Sequence, residues 1–350
     1  MKLTEAAGGF FALDVGLDSL RLAQMVGNPQ RGWILEAFAY LPIDRRITMT
    51  DSETAKRNIG EMMFNAMQKS GIKEKRVVIG LPKQKAFTGV VEIAASEKDL
   101  RTIEKLVNYQ ANQLIPIDVE EAKIDYAVIG APMNDLTKTD VLLSAVQDKE
   151  AEMWMNVVEG YGLELVALEP NDVAMARALM PMKAEQMSLI VFLREDETTI
   201  VMTYDGKPRI FRNAAIGFDA IVDNVAQKLK MERREARQLI STAGFFTDKY
   251  QGQIAKILDE ELGKLITEIL DVTNIILIKY PGYQIEEIIA GGFLTVMPAV
   301  ARYLQMKLNI PTRLGNPFQR VNLTGQQKAA LEPVAGEFTV ACGLAERMNK

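Results

Sequence analysis

The sequence predicts a duplicated two-domain α/β fold, and three observations lead there. A run of three short alternating strands followed by a helix opens the chain. The same run starts again near residue 189. At 350 residues the chain is also long for one core, since a single hydrophobic core stops growing at roughly 250–300 residues.

Residues 11–15, 20–26 and 33–40 alternate apolar with polar or small residues and are parted by Gly, Asp and Asn-Pro turns, the pattern of an antiparallel meander. A helix is expected over 51–70, where Ala55, Ile59, Met62, Met63, Ala66 and Met67 recur at helical spacing and Gly71 stops it. A short buried strand follows at 77–80. From 83 to 162 the pattern changes to strand, helix, strand, strand, helix. Its first helix is expected to open at Ser96 with Asp99 completing a capping box, to bury Leu100, Ile103, Leu106, Val107 and Leu114, and to end at Ile115-Pro116. This block reads as an insertion. A strand at 163–168 and a helix at 172–179 resume the first half.

The second half repeats the opening with strands at 189–193, 198–204 and 209–215, the last two joined by a tight Asp205-Gly206 turn. Helices are expected at 218–230, 232–243 and 250–280. A strand at 287–290 then runs through Gly291-Gly292 towards a helix at 296–308. The expected division is a first core of 1–82 with 163–187 and 332–350, an inserted subdomain of 83–162, a second core of 188–217 with 285–331, and a helical subdomain of 218–284. Two such halves imply a cleft between them, where ligands tend to sit.

Composition excludes several functions. Asp and Glu (46) outnumber Lys and Arg (41), giving a net charge of −5, and no stretch concentrates basic residues as a nucleic-acid footprint requires. There is no histidine, which removes His triads, His general bases and His metal ligands. The single cysteine, Cys342, forms no internal disulfide and reads as a small core residue of a reducing compartment. Residues 1–7 lack a signal-peptide pattern. The longest apolar stretch, 288–301, is broken by Gly291, Gly292, Thr295 and Pro298, so no membrane insertion is expected.

Two segments carry candidate chemistry. Asp14-Val15-Gly16-Leu17-Asp18-Ser19 ends one strand and turns into the next; Gly16 and Ser19 could present backbone N–H groups to phosphate, and Asp14 could hold Mg²⁺ through water. An ordinary β-turn explains the same residues. Gly291-Gly292-Phe293-Leu294 follows a buried strand, where glycines permit close approach of a nucleotide and a helix N-terminus faces an anion. Tight strand–helix packing is the plain alternative.

With these motifs in this order, the chain resembles the actin-like ATPase superfamily, whose duplicated fold is ribonuclease H-like, and within it the PilM family of type IV pilus assembly proteins. The resemblance rests on 11–21, Gly80-Leu81-Pro82, Asn112-Gln113-Leu114-Ile115-Pro116-Ile117 with Asp125-Tyr126, 168–179, Phe211-Arg212 with Ile216-Gly217, Gly291-Gly292, Asn316-Pro317-Phe318 and Ala341-Cys342-Gly343-Leu344-Ala345. The Ile-Pro segment ahead of an Asp-Tyr strand is the trait that actin and the sugar kinases lack. The resemblance implies a nucleotide site at Asp14, Gly16, Ser19, Gly291 and Gly292, with ATP and Mg²⁺, the metal held indirectly by Asp14.

The chain departs from that pattern where chemistry would need it. In place of the family's second phosphate loop, Asp-Ile-Gly followed by small and threonine residues, stands Val191-Phe192-Leu193-Arg194-Glu195-Asp196-Glu197-Thr198-Thr199, whose acidic run repels polyphosphate or simply forms a solvated turn. In the ribose-contacting helix the usual Glu and Lys are Arg237 and Ile240. Binding of ATP is therefore expected to be weak or lost and hydrolysis negligible.

The resemblance then implies a cytoplasmic scaffold, peripheral to the inner membrane, that docks the cytoplasmic tail of a bitopic PilN-like protein beside the inserted subdomain and connects it to the pilus motor. Candidate lining residues are Phe87 and Val90, with plain core packing as the alternative for Phe87. An actin-like ATPase and an FtsA-like cell-division filament are the other readings. The latter expects a membrane helix beyond the core, whereas this sequence stops at Lys350 after an expected helix over 338–348.

Overall fold

In the computed structural model, which describes residues 9–181, 183, 185–246 and 250–347, the first sheet grows from a strand buried over its first four residues. That strand, β1 (Phe11–Val15), pairs antiparallel with β2 (Ser19–Asn28), and β2 pairs with β3 (Gly32–Pro42). A short α1 (Arg45–Thr48) leads to α2 (Glu53–Ser70), capped by the Ser52 side chain on the Ala55 N–H and closed by Gly71 in the left-handed region at φ 77°. The helix buries Ala55, Ile59, Met63, Ala66 and Met67 and returns the chain to β4 (Arg76–Leu81), parallel to β1.

Then follow β5 (Ala86–Ile93), α3 (Leu100–Leu114), β6 (Ala122–Gly130), β7 (Thr139–Gln147), α4 (Asp148–Gly160), β8 (Glu164–Pro170) and α5 (Asn171–Leu179). Strands β5, β7 and β6 form their own three-stranded antiparallel sheet, with β7 in the middle. Under it lies a separate apolar cluster of Val91, Ile93, Ile103, Val107, Ala111, Val141, Leu143 and Ala145. Helix α3 starts at Leu100, not Ser96: Asp99 is the cap, accepting from the Thr102 N–H at 3.1 Å. Its buried stripe is Ile103, Val107 and Ala111, while Leu100 and Leu114 are exposed.

The chain divides after Ala178 and before Pro317, and Leu179–Asn316 is the second compact unit. Here β9 (Met187–Leu193), β10 (Thr198–Tyr204) and β11 (Lys207–Ala214) form the second meander, with Asp205 and Gly206 at φ 51° and 65° making the tight turn. Helices α6 (Phe218–Leu229), α7 (Arg233–Ala243) and α8 (Gln253–Lys279) lead to β12 (Glu287–Gly292), parallel to β9. Helix α9 (Val300–Leu308) and β13 (Thr312–Leu314) complete the sheet order β11-β10-β9-β12-β13. Pro298 breaks the expected helix over 296–308. Met297 before it is extended, so a 3-10 turn, Phe293–Val296, stands between the glycine pair and α9.

The segment beyond Pro317 returns to the first unit, which corrects the expected second core of 285–331. The Trp33 N–H donates to the Arg320 carbonyl at 2.8 Å, β14 (Val321–Asn322) pairs parallel with β3, and α10 (Gly325–Leu331) follows behind a Thr324–Gln327 capping box. Helix α11 (Thr339–Ala345) covers β1, β2 and β4, and Gly343 packs against the Ala174 carbonyl of α5, where a Cβ would not fit. The expected helix over 338–348 thus ends at Ala345, and residue 348 lies outside the described residues. The first sheet runs β14-β3-β2-β1-β4-β8. A second difference concerns α4, read as part of the insertion: its Ala151, Trp154 and Val158 join the first sheet's core with Phe11, Leu13 and Met63. The buried pair Lys56 Nζ–Glu150 Oε2, at 2.7 Å, fixes it to α2.

Candidate functional site

In the first unit, Asp14, Gly16 and Ser19 sit on one hairpin. Register places Arg21 opposite Asp14, and its Nη1 donates to Asp14 Oδ2 at 3.1 Å with both side chains buried. The guanidinium lies against Gly16, where a Cβ would stand 2.3 Å from Nη1. The Gly16 N–H, expected to face phosphate, donates instead to the Ser19 carbonyl at 3.0 Å and closes the turn. Ser19 is fully buried.

A residue that sequence reasoning missed completes this site. Glu337, just before α11, accepts at one oxygen, Oε2, from Arg21 Nη2 (2.9 Å), Tyr40 OH (3.1 Å) and, at the long limit, Ser19 Oγ (3.5 Å). Phe338 beside it is buried and packs edge-on against Phe38. The opposition of Asp14 and Arg21 was readable from the turn, because residues equidistant from a hairpin tip face each other. Glu337 carried no such signal.

Gly291 and Gly292 belong to the second unit. A Cβ on Gly291 would meet the Phe192 ring at 2.7 Å and Leu179 at 2.8 Å; one on Gly292, at φ 63°, would stand 2.1 Å from the Leu193 carbonyl oxygen. Both glycines are therefore explained by β9–β12 packing. After them Phe293 stacks on Phe218 with centroids 4.6 Å apart and planes 7° from parallel. The Arg237 guanidinium covers both rings at 5.0 and 5.4 Å.

The acidic turn is not solvated as expected. Only Asp196 is exposed, while Glu195 and Glu197 are buried. The reason is backbone pairing: Arg194 N–H donates to Glu197 O at 2.8 Å, and the loop carbonyls of Arg194 and Glu195 take the N–H groups of Phe218 and Asp219 at 2.8 and 2.9 Å. These carbonyls satisfy the first donors of α6, which an anion would otherwise use.

Phe87 and Val90, the candidate partner-binding pair, lie on β5, an edge strand. Strand alternation turns Phe87 towards the cluster beneath the three-stranded sheet, its ring 3.1 Å from a Cβ built on Gly89, and turns Val90 to the opposite face. They do not line one groove wall together. Cys342 is a buried core residue whose thiol burial pushes well above its ordinary range. Among the described residues no group of three or more His, Cys, Asp or Glu could hold a metal, and no helix is long and apolar enough to cross a membrane.

Each unit thus carries a meander, a helical return and a strand parallel to the first, and this repeated topology defines an actin-like fold. Solved structures agree. The chain is similar to a protein of a "PilM-PilN type IV pilus biogenesis complex" at 19% identity and TM-score 0.80, with 98% of this chain and 99% of that one covered. It is similar to the ethanolamine utilization protein EutJ from Carboxydothermus hydrogenoformans at 13% identity and TM-score 0.56, over 98% and 91%. MreB 5 of Spiroplasma citri bound to AMPPNP matches at 12% identity and TM-score 0.53, over 97% and 95%. Residues 12–349 match the family described as "Type IV pilus assembly protein PilM", and the chain belongs to that family.

One of the solved structures of this fold is bound to AMPPNP, and in each unit of this chain the positions expected to meet nucleotide have partners of their own. In the first, the Gly16 donor is consumed by the turn and Asp14 is buried against Arg21. In the second, the glycine pair is closely packed against Phe192, Leu179 and Leu193, and Glu195 and Glu197 of the β9–β10 turn are buried.

Proposed function

We propose that this chain is a non-catalytic scaffold of a type IV pilus or related secretion machine, holding the cytoplasmic tail of a PilN-like inner-membrane protein and linking it to motor components. The observation that carries this reading is the three-stranded sheet. Its two outer strands, β5 and β6, each offer a backbone edge to an extended peptide, and half-buried Phe87, Val90 and Tyr126 offer side-chain contacts beside those edges. Family membership supplies the process. A chain of the complex named for PilM and PilN shares this fold over 99% of its length. On this reading the chain works in the cytoplasm and reaches the membrane through its partner.

The working parts in this proposal are a first core (1–82 with 163–187 and 332–350, extended by 317–331), the subdomain at 83–162 beside it, and a second core with its helical addition. ATP binding is weak or absent and hydrolysis negligible, for losing preorganised donors around developing charge costs roughly 10²–10³ in rate per group. Asp14, Gly16, Ser19, Gly291 and Gly292 then serve mainly as structural positions. The rival readings, an actin-like ATPase or a filament former, share the fold and need an open phosphate loop.

The test is a calorimetric titration of a peptide copying the cytoplasmic N-terminus of the PilN-like protein from the same bacterium. Binding is expected, and Phe87→Asp and Val90→Asp are expected to weaken it unequally because they lie on opposite faces. Circular dichroism checks that each variant is folded. Folded variants that both bind at wild-type affinity remove β5 from the site. ATP turnover of several per second, abolished by Asp14→Ala, would overturn the scaffold reading.

A further inference from the structure

We propose that the first hairpin holds a built anion seat and that Glu337 is its resident anion, an internal carboxylate standing where an exogenous phosphate oxyanion would otherwise bind. Three donors from two adjacent strands converge on a single carboxylate oxygen: Arg21 Nη2 at 2.9 Å, Tyr40 OH at 3.1 Å and Ser19 Oγ at 3.5 Å. Convergence of that kind is what an oxyanion needs, and charge-assisted bonds from guanidinium are the strong members of such a set. The seat is rigid. Ser19 and Arg21 are buried on β2, Arg21 is braced from its other side by Asp14, and Phe338 anchors Glu337 by packing against Phe38 and Tyr40.

The seat is also reachable. Tyr40 is 38% exposed and the Glu337 side chain 17%, so the carboxylate approaches from the solvent side of a buried arginine. Burial chiefly raises the Tyr40 hydroxyl's pKa, the Ser19 hydrogen bond and the Arg21 charge pull it down and the Glu337 charge adds to the rise, so the hydroxyl stays protonated and able to donate. Glu337 is held in sequence by a short turn, its N–H bonded to the Val334 carbonyl at 3.0 Å. A tethered group competes as an intramolecular ligand at an effective concentration on the order of millimolar or above. Free phosphate therefore meets an occupied seat, and its apparent affinity falls by the fraction of time Glu337 is away. The poor fit of this hairpin to a nucleotide then has a specific cause: the arginine that could meet a phosphate already holds a carboxylate. Peptide docking at the three-stranded sheet does not depend on this seat, so the two proposals fail separately.

The experiment uses the full chain, with Glu337→Ala and the shape-conserving Glu337→Gln, titrated with inorganic phosphate at low salt and followed by calorimetry. Phosphate is expected to bind the alanine variant about tenfold or more tighter than the intact chain, in line with the loss of a tethered competitor. Adding Tyr40→Phe removes one neutral donor and is expected to cut that gain about fivefold. Glu337→Gln keeps an uncharged acceptor in the seat, and its gain is expected to be smaller. Should Glu337→Ala not fold by circular dichroism, Glu337→Ser, too short to fill the seat, decides by the same comparison. A folded Glu337→Ala or Glu337→Ser variant that binds phosphate no better than the intact chain overturns the proposal, as does a gain that Tyr40→Phe leaves untouched.

Discussion

In the first unit the turn between β1 and β2 closes on a glycine N–H and buries an arginine between two carboxylates, whereas in the second the turn between β9 and β10 buries two glutamates and offers its carbonyls to a helix. The strands around them are alike: three antiparallel strands, then a strand parallel to the first. One scaffold has thus been finished with different chemistry at the same topological position. The first turn centres on an arginine paired with two carboxylates, while the second is held by backbone pairing and has no glycine. The difference teaches that the meander sets where a loop stands and says nothing of what it binds.

The largest expected effect separates the glycines of the two halves. Gly292→Ala places a Cβ onto the Leu193 carbonyl at a backbone conformation reserved for glycine, and a loss of about 3 kcal/mol or more is expected by denaturant unfolding. Gly16→Ala meets only the end of the Arg21 side chain, and a smaller loss, about 1–2 kcal/mol, is expected. Equal losses would break the contrast between a packing glycine and a turn glycine.

A pH titration sharpens the account of the first unit. Glu346 is buried beside Arg320 (2.7 Å), and burial pushes its carboxyl up to about 7 against the pull of Arg320 and Arg177. A raised folded pKa means that the folded chain binds the proton more tightly than the unfolded chain. The stabilisation is therefore complete below the unfolded value of 4.5 and lost as the pH rises through about 7. The loss is about 3 kcal/mol at most. Glu346→Gln is expected to flatten the stability profile over that window, and an unchanged slope would place the titration elsewhere.

The smallest effect tests the acidic turn. Asp196 is its exposed member, and Asp196→Ala is expected to change stability by no more than about 0.5 kcal/mol. A larger change would mean that its side chain, and not the backbone pairing of Arg194 with Glu197, holds the turn.

Local patterns were legible in the sequence and distant partners were not. Both meanders, α2 with its Gly71 stop and the Asp205-Gly206 turn follow from alternation, helical spacing and turn chemistry. Helix α3 was misplaced at its start because Ser96 and Asp99 are both good caps, and only the fold shows that the Ser96–Asp99 segment is a turn. The return of β14 to β3 went unread because a two-residue strand has no periodicity. Glu337 was invisible for a related reason: its three donors lie 297 to 318 residues earlier in the chain. The acidic turn was misread because charge suggested solvent, while the loop's carbonyls were needed at the start of α6.

The homecoming of β14, α10 and α11 also fixes an order of events during synthesis. The second unit is one continuous stretch, Leu179–Asn316, so all of its own elements have been made once that stretch has emerged. The first unit, begun earlier, keeps the faces of β1, β2 and β4 uncovered until α11 arrives. The domain that is translated first is therefore the one that closes last, and its waiting surface is the natural point for chaperone attention.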